Sequence, residues 1–194
     1  MKKKHILIMF CVVALIQLFV PAQMIYNQEK VLNDGKAYKF KTRPIDPNDP
    51  FRGKYITLRY EINSFKTRDT TWRRGDAVYV YLKDSLGYAQ IDTISKYKLN
   101  LKTDYVVAKA THFRSFKNYS NKSARIHFDL PFNRFYMEEY KAKPAEDAIR
   151  VRRNDTDLKD VYSLVYVKDG EAVLENVFIN DVPIIDYIKE KDNQ

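Results

Sequence analysis

Val161-Tyr162-Ser163-Leu164-Val165-Tyr166-Val167-Lys168-Asp169-Gly170-Glu171-Ala172-Val173-Leu174-Glu175-Asn176-Val177-Phe178-Ile179 reads as a β-hairpin. Asp-Gly suits the tight two-residue turn, because both central positions of that turn need positive φ. The flanking runs are β-branched, aromatic and nearly continuous in apolar residues. Strands of that kind are covered on both faces, so this hairpin belongs at the centre of a sheet.

Working outward, the same grammar recurs. Ala124, Ile126, Phe128 and Leu130 alternate with Arg125, His127 and Asp129, which predicts a half-buried strand. Val, Tyr and Thr fill 101–116, one long strand. Asp76 to Lys83 sends Val78, Val80 and Leu82 inward and Tyr79 and Tyr81 outward. Asp84-Ser85-Leu86-Gly87 turns that strand into Tyr88–Ile94. Ser64 to Gly75 reads as a polar loop carrying the single Trp72. Near the start, Tyr38, Phe40 and Thr42 face one way and Lys39, Lys41 and Arg43 the other. The period changes after Leu130: Phe132–Lys143 and Pro144–Arg153 read as two short helices, with Pro144 at a first helical turn. About eight strands with this helical insertion predict a mainly β (α+β) fold, an antiparallel β-sandwich or open barrel.

The N-terminus belongs to a different environment. Lys2, Lys3 and Lys4 precede an apolar run from Ile6 to Val20, an export signal by the positive-inside rule. Counted through Tyr26, the segment is long enough to span a bilayer, and the continuing apolar character favours an anchor. The alternative is cleavage near Ala22, which would release the domain. The chain therefore divides into an anchor or signal segment (1–26), one β-rich extracytoplasmic domain (27–188) and a charged tail (189–194). Cys11 is the only cysteine and lies in the apolar run, so the domain can hold neither a disulfide nor a cysteine-based metal site. The formal net charge is +9 and is not gathered into one block; export makes nucleic acid an unexpected partner.

The stretch Asp49-Pro50-Phe51-Arg52-Gly53-Lys54-Tyr55-Ile56-Thr57-Leu58-Arg59-Tyr60 joins a turn to a strand predicted over Lys54–Ile62. Three prolines fall in 44–50, and Gly53 frees the backbone where the turn ends. Ile56, Leu58, Tyr60 and Ile62 point inward. Tyr55 points the opposite way and needs a second layer or a partner. Arg52 has Asp46, Asp49 and Glu139 as candidate partners to pin the turn.

Gly53-Lys54-Tyr55-Ile56-Thr57-Leu58-Arg59-Tyr60 resembles the signature of the GDYXXLXY family, and Asp46-Pro47-Asn48-Asp49-Pro50-Phe51-Arg52 is similar to that family's Asp/Pro-rich lead-in. Phe135-Tyr136-Met137-Glu138 before a Gly-containing hairpin extends the resemblance. It implies a bacterial envelope protein, in a family for which no activity is established. Lys54 stands where the signature has Asp, which puts in doubt any contact that the acid would make.

No phosphate loop, nucleophile elbow or His pair at metal-ligand spacing is written here, so no catalytic, cofactor or metal residues are assigned. His112 and His127 could meet on adjacent strands beside Asp129, and are read as surface-strand histidines. Glu138, Glu139, Glu146 and Asp147 read as a charged helix face beside Lys141 and Lys143. Ser64 and Lys66 are too local to make a Ser/Lys hydrolase. The expectation is a non-catalytic envelope domain that binds or helps assemble a membrane protein partner, with Tyr79, Tyr81, Tyr162 and Tyr166 as an interface or a buried second layer. The alternative is an enzyme acting on envelope material through carboxylates or His127.

Overall fold

The computed structural model describes residues 3–43, 55–118, 121–149 and 160–192. The order is α1 (Lys3–Asp34), β1 (Lys36–Arg43), β2 (Tyr55–Thr57), β3 (Arg59–Tyr60), β4 (Ser64–Thr67), β5 (Ala77–Ser85), β6 (Tyr88–Ser95), β7 (Tyr105–Asn118), β8 (Asn121–Asp129), β9 (Arg134–Tyr136), α2 (Glu139–Ile149), β10 (Val161–Lys168), β11 (Glu171–Ile179), β12 (Val182–Pro183) and α3 (Ile184–Asp192). One five-stranded sheet runs β12-β11-β10-β1-β3 and the other β4-β8-β7-β5-β6, with β2-β9 as a separate ribbon. The pairings between these strands are antiparallel. The two sheets share one apolar core and nearly close into a barrel, as the sequence pattern predicts.

Alternation decides which side chains enter that core. Tyr38, Phe40 and Thr42 of β1 are buried, as are Val78, Val80 and Leu82 of β5 and Ile126 and Phe128 of β8. The final hairpin forms as its sequence predicts, with Asp169 and Gly170 both at positive φ (51° and 91°). Its β10 strand sits between β11 and β1, inside the sheet.

Several expectations are corrected. The single strand predicted over Lys54–Ile62 is broken at Leu58, because the chain changes partner there: β2 pairs β9, whereas β3 pairs β1. Phe132–Lys143 is not a helix in its first half; Arg134-Phe135-Tyr136 forms β9, the strand that β2 needs. Between β9 and residue 149, the end of the described stretch, the chain forms one helix, α2, with Pro144 inside it. The proline costs one intrahelical bond, to Tyr140 in the exposed first turn, and burial of Ala142, Ala145, Ala148 and Ile149 offsets the loss. The 150–153 part of the second predicted helix lies outside the described residues. The loop expected from Ser64 begins with β4, paired to β8, and Trp72 is buried. Helix α3 runs into the charged end and buries Ile184 and Ile188.

Helix α1 is 32 residues long and continuous through Pro21. Val31 is its only buried residue. Its last turn closes on itself, the Gly35 N–H donating to the Val31 carbonyl at 2.9 Å, and it docks on the domain through buried Val31 and through Asp34, which pairs with Lys168 at 2.6 Å. A Cβ at Gly35 would lie 2.3 Å from the Val31 oxygen and 3.2 Å from that of Val167, so only glycine allows this approach.

Candidate functional site: the motif strand and its aromatic outer face

The strand Tyr55–Tyr60 stitches the ribbon to the first sheet. Tyr55, Ile56 and Thr57 lie opposite Tyr136, Phe135 and Arg134. Leu58 donates its N–H to the Asn133 carbonyl at 2.8 Å, and Tyr60 then pairs with Thr42 of β1. Ile56, Leu58 and Tyr60 are buried, as their alternation predicts. The Tyr60 hydroxyl donates to the Phe132 carbonyl at 2.9 Å and lies 3.3 Å from the Ser163 hydroxyl. Its ring meets Phe40 and Phe132 edge-on at 5.8 and 5.1 Å. Burial pushes its phenol well above the ordinary value. Leu58 and Tyr60 are thus structural residues of the corner where the chain changes sheets. Asp46, Asp49, Arg52, Gly53 and Lys54 lie outside the described residues.

Tyr55 faces outward, half-buried, and its neighbours are cross-strand side chains of the same ribbon, on β9, not a second layer. Its ring centroid is 5.4 Å from that of Tyr136, and the Arg134 guanidinium carbon sits 4.9 Å over it. Tyr136 is 65% exposed, and Tyr140, in the first turn of α2, is 72% exposed. Lys141 lies 5.2 Å over the Tyr140 ring and pairs with Glu138 at 3.0 Å. Hydrogen bonds from Tyr140 and Lys141 hold the Glu138 carboxyl below its ordinary value. The motif's outer face therefore carries half-buried and exposed tyrosines among charged groups already tied to one another. Arg134 was missed as a partner of Tyr55; the alternation of Arg134-Phe135-Tyr136 was its only trace in the sequence.

Further along, where the chain passes from β2 to β3, it borders a cleft of about 480 Å³. Residues 57–60 line it together with Thr111, His112, His127 and Asp129. A register shift between Ala110 and His112 brings His112 opposite His127, with ring centroids 6.1 Å apart. Burial, then the neighbouring His112, hold His127 below the ordinary histidine value. Tyr55 and Glu139 are not among the residues lining this cleft. Among the described residues, no group of three or more His, Cys, Asp or Glu is placed to hold a metal ion.

The four tyrosines named as an interface divide unequally. Tyr81 and Tyr162 are buried, which removes them from any free surface. A register shift after Tyr81 and the covering 97–104 segment enclose Tyr81, whose hydroxyl accepts the Leu99 N–H at 2.5 Å. Tyr162 stacks on Phe178 at 5.1 Å and donates to Asp181 at 2.7 Å. Beside it Tyr88 donates to Asp160, and that bond, helped by burial, pushes the Tyr88 phenol up to about 12. Tyr79 and Tyr166 are half-buried.

These features define a class: an antiparallel β domain carried on one N-terminal apolar helix. That helix, with a mean hydropathy of 2.4 in its best window, is long and apolar enough to cross a membrane, a test that a signal sequence also passes. The family model described as GDYXXLXY protein matches residues 17–177, and the chain belongs to that family. Neither a curated protein nor a solved structure matches it.

Proposed function

We propose that the protein is a non-catalytic domain of the cell envelope. In this reading α1 anchors it in the membrane, with Lys2 to Lys4 inside and the β domain outside the cytoplasm. The domain binds or helps assemble the extramembrane part of another membrane protein. One observation carries the proposal: β2 and β9 present Tyr55 and Tyr136 outward as a cross-strand pair, with Arg134 stacked on Tyr55, and Tyr140 is exposed in the first turn of the helix that follows β9. Tyrosine and arginine are favoured at protein contacts because they bring large area with a polar handle.

The experiment is photo-crosslinking in intact membranes from a reactive side chain at Tyr136, with the same group at Leu86 as a surface comparison. A discrete protein adduct at Tyr136, absent at Leu86 and lost in Tyr55→Ala, is the expected result. Tyr55→Ala removes one exposed aromatic pair and one cation–π contact, so it lowers stability by only about 1 kcal/mol. Recovery of no adduct from Tyr136 refutes the proposal. The cleft at His112 and His127 favours a second reading, an enzyme acting on envelope material. It requires His127→Ala to abolish function in a protein that still folds. Mass spectrometry separates anchor from cleaved signal: a mature chain beginning at Gln23 overturns the anchor.

A further inference from the structure

We propose that the loop 98–102 is a bilayer contact, seated in the phospholipid headgroup layer beside α1. The inference rests on reading α1 as an anchor and adds what the domain does at that anchor.

Helix α1 reaches the domain a short way beyond its apolar run. Every residue from Met24 to Lys30 is exposed, and the domain takes hold at Val31. Five residues separate Tyr26, the end of the segment counted as spanning the bilayer, from Val31, a rise of roughly 7.5 Å. The polar layer on each side of a bilayer is about 5–8 Å deep. The end of the domain that grips α1 therefore lies against the headgroups.

Loop 98–102 is at that end. Lys168, paired with Asp34 of α1, leads into the Asp169–Gly170 turn. Tyr105 donates its hydroxyl to the Asp169 carbonyl at 3.0 Å, and Val107 donates its N–H to the Gly170 carbonyl at 3.1 Å. Lys98 lies 5.3 Å over the Tyr105 ring, and the 98–105 segment forms a shallow depression of about 490 Å³ together with Asp169.

The loop reads Lys98-Leu99-Asn100-Leu101-Lys102. Leu99 and Leu101 are 40% and 47% exposed, and both lysines are exposed. Two aliphatic side chains held in water beside a membrane span have an obvious place to go. Lysines flanking them suit lipid phosphates, and Lys36 at the start of β1 adds a further exposed cation. The nearby acids are Asp34, paired with Lys168, Asp104, which accepts from the Tyr38 hydroxyl at 2.8 Å and keeps its charge, and Asp169, which faces Lys98. A second anchoring point of this kind restricts the tilt of the domain, and so fixes the height of the tyrosine patch. Strand β1 separates the two ends by roughly 23 Å at 3.3 Å per residue.

The test uses the full chain with Cys11→Ser, reconstituted in vesicles of phosphatidylcholine alone or mixed with phosphatidylglycerol. Single nitroxide labels are placed at Leu101→Cys, at Tyr140→Cys on the far end, and at Leu15→Cys within α1. Collisions with oxygen and with a water-soluble nickel chelate report depth. The expected result is a Leu101 label shielded from the chelate and open to oxygen, more so with phosphatidylglycerol, while the Tyr140 label stays aqueous. Lys98→Glu with Lys102→Glu should return the Leu101 label to water. A Leu101 label as aqueous as Tyr140, with the Leu15 label in the bilayer, overturns the loop contact and leaves the anchor standing. A Leu15 label in water overturns both. Shielding in native membranes but not in either vesicle assigns the loop to a protein partner and overturns the lipid contact.

Discussion

Tyr60→Phe isolates the structural role of the motif. The substitution keeps the ring against Phe40 and Phe132 and removes only the hydroxyl. Tyr60 is 2% exposed and Ser163 is 0% exposed, so water cannot replace the lost group. The Phe132 carbonyl loses its 2.9 Å donor and the Ser163 hydroxyl its 3.3 Å neighbour. A buried polar group stranded in this way costs about 1–3 kcal/mol, so a loss of about 2 kcal/mol is expected. In a domain of this size that lowers Tm by roughly 4–8 °C. The assay is urea unfolding of the detergent-solubilised chain, read by fluorescence of the single buried Trp72. Ser163→Ala removes one of the two stranded groups. The double substitution should therefore cost less than the sum of the single ones, by about 0.5–1 kcal/mol. Strict additivity, or a Tyr60→Phe protein as stable as the parent, refutes the view that Tyr60 pins the corner.

Two further outcomes separate local effects from one another. Gly170→Ala and Gly87→Ala both put a side chain at positive φ (91° and 82°), but only the first meets an obstacle, the Tyr105 ring at 2.5 Å. Gly87→Ala should cost about 1 kcal/mol and Gly170→Ala about 1–3 kcal/mol more by denaturant midpoint; equal losses would show that the Tyr105 ring yields freely. His127 is held below the ordinary histidine value of 6.5 in the folded chain, so the unfolded chain binds its proton more readily. Its contribution to stability is complete above pH 6.5 and is lost as pH falls through the folded value. His127→Gln should flatten the pH dependence of the urea midpoint between about pH 7.5 and 5, and an unchanged profile would exclude the histidine as its source.

How much was legible depended on the length of each signal. The Asp169–Gly170 hairpin could be read outright, because an Asp-Gly pair between two apolar runs admits few other structures. The inward set Ile56, Leu58 and Tyr60 was equally plain, since alternation names a face whatever strand lies alongside. Arg134 to Tyr136 was misread because three residues show no period, and the apolar residues around them suit a helix as well. The cleft was out of reach for a different reason. His112 and His127 do meet on adjacent strands as the sequence allowed, but nothing local announces the register shift at Ala110 or the wall that residues 57–60 add to the cleft.

Chain chemistry alone therefore determined a β domain on an apolar helix, the buried face of the motif, and Tyr55 as the residue left over. Those conclusions follow from turn residues, period and hydropathy, all of them short-range. Tertiary structure decided which strand each face met. It split the motif between two sheets at Leu58, buried Tyr81 and Tyr162, and gave Tyr55 its neighbours Tyr136 and Arg134. It also set Lys98 over the Tyr105 ring and the 98–105 segment beside Asp169, at the end that grips α1. Pairing partners and register shifts depend on contacts between residues far apart in the chain, and an alternating strand satisfies its own pattern equally well beside any of them.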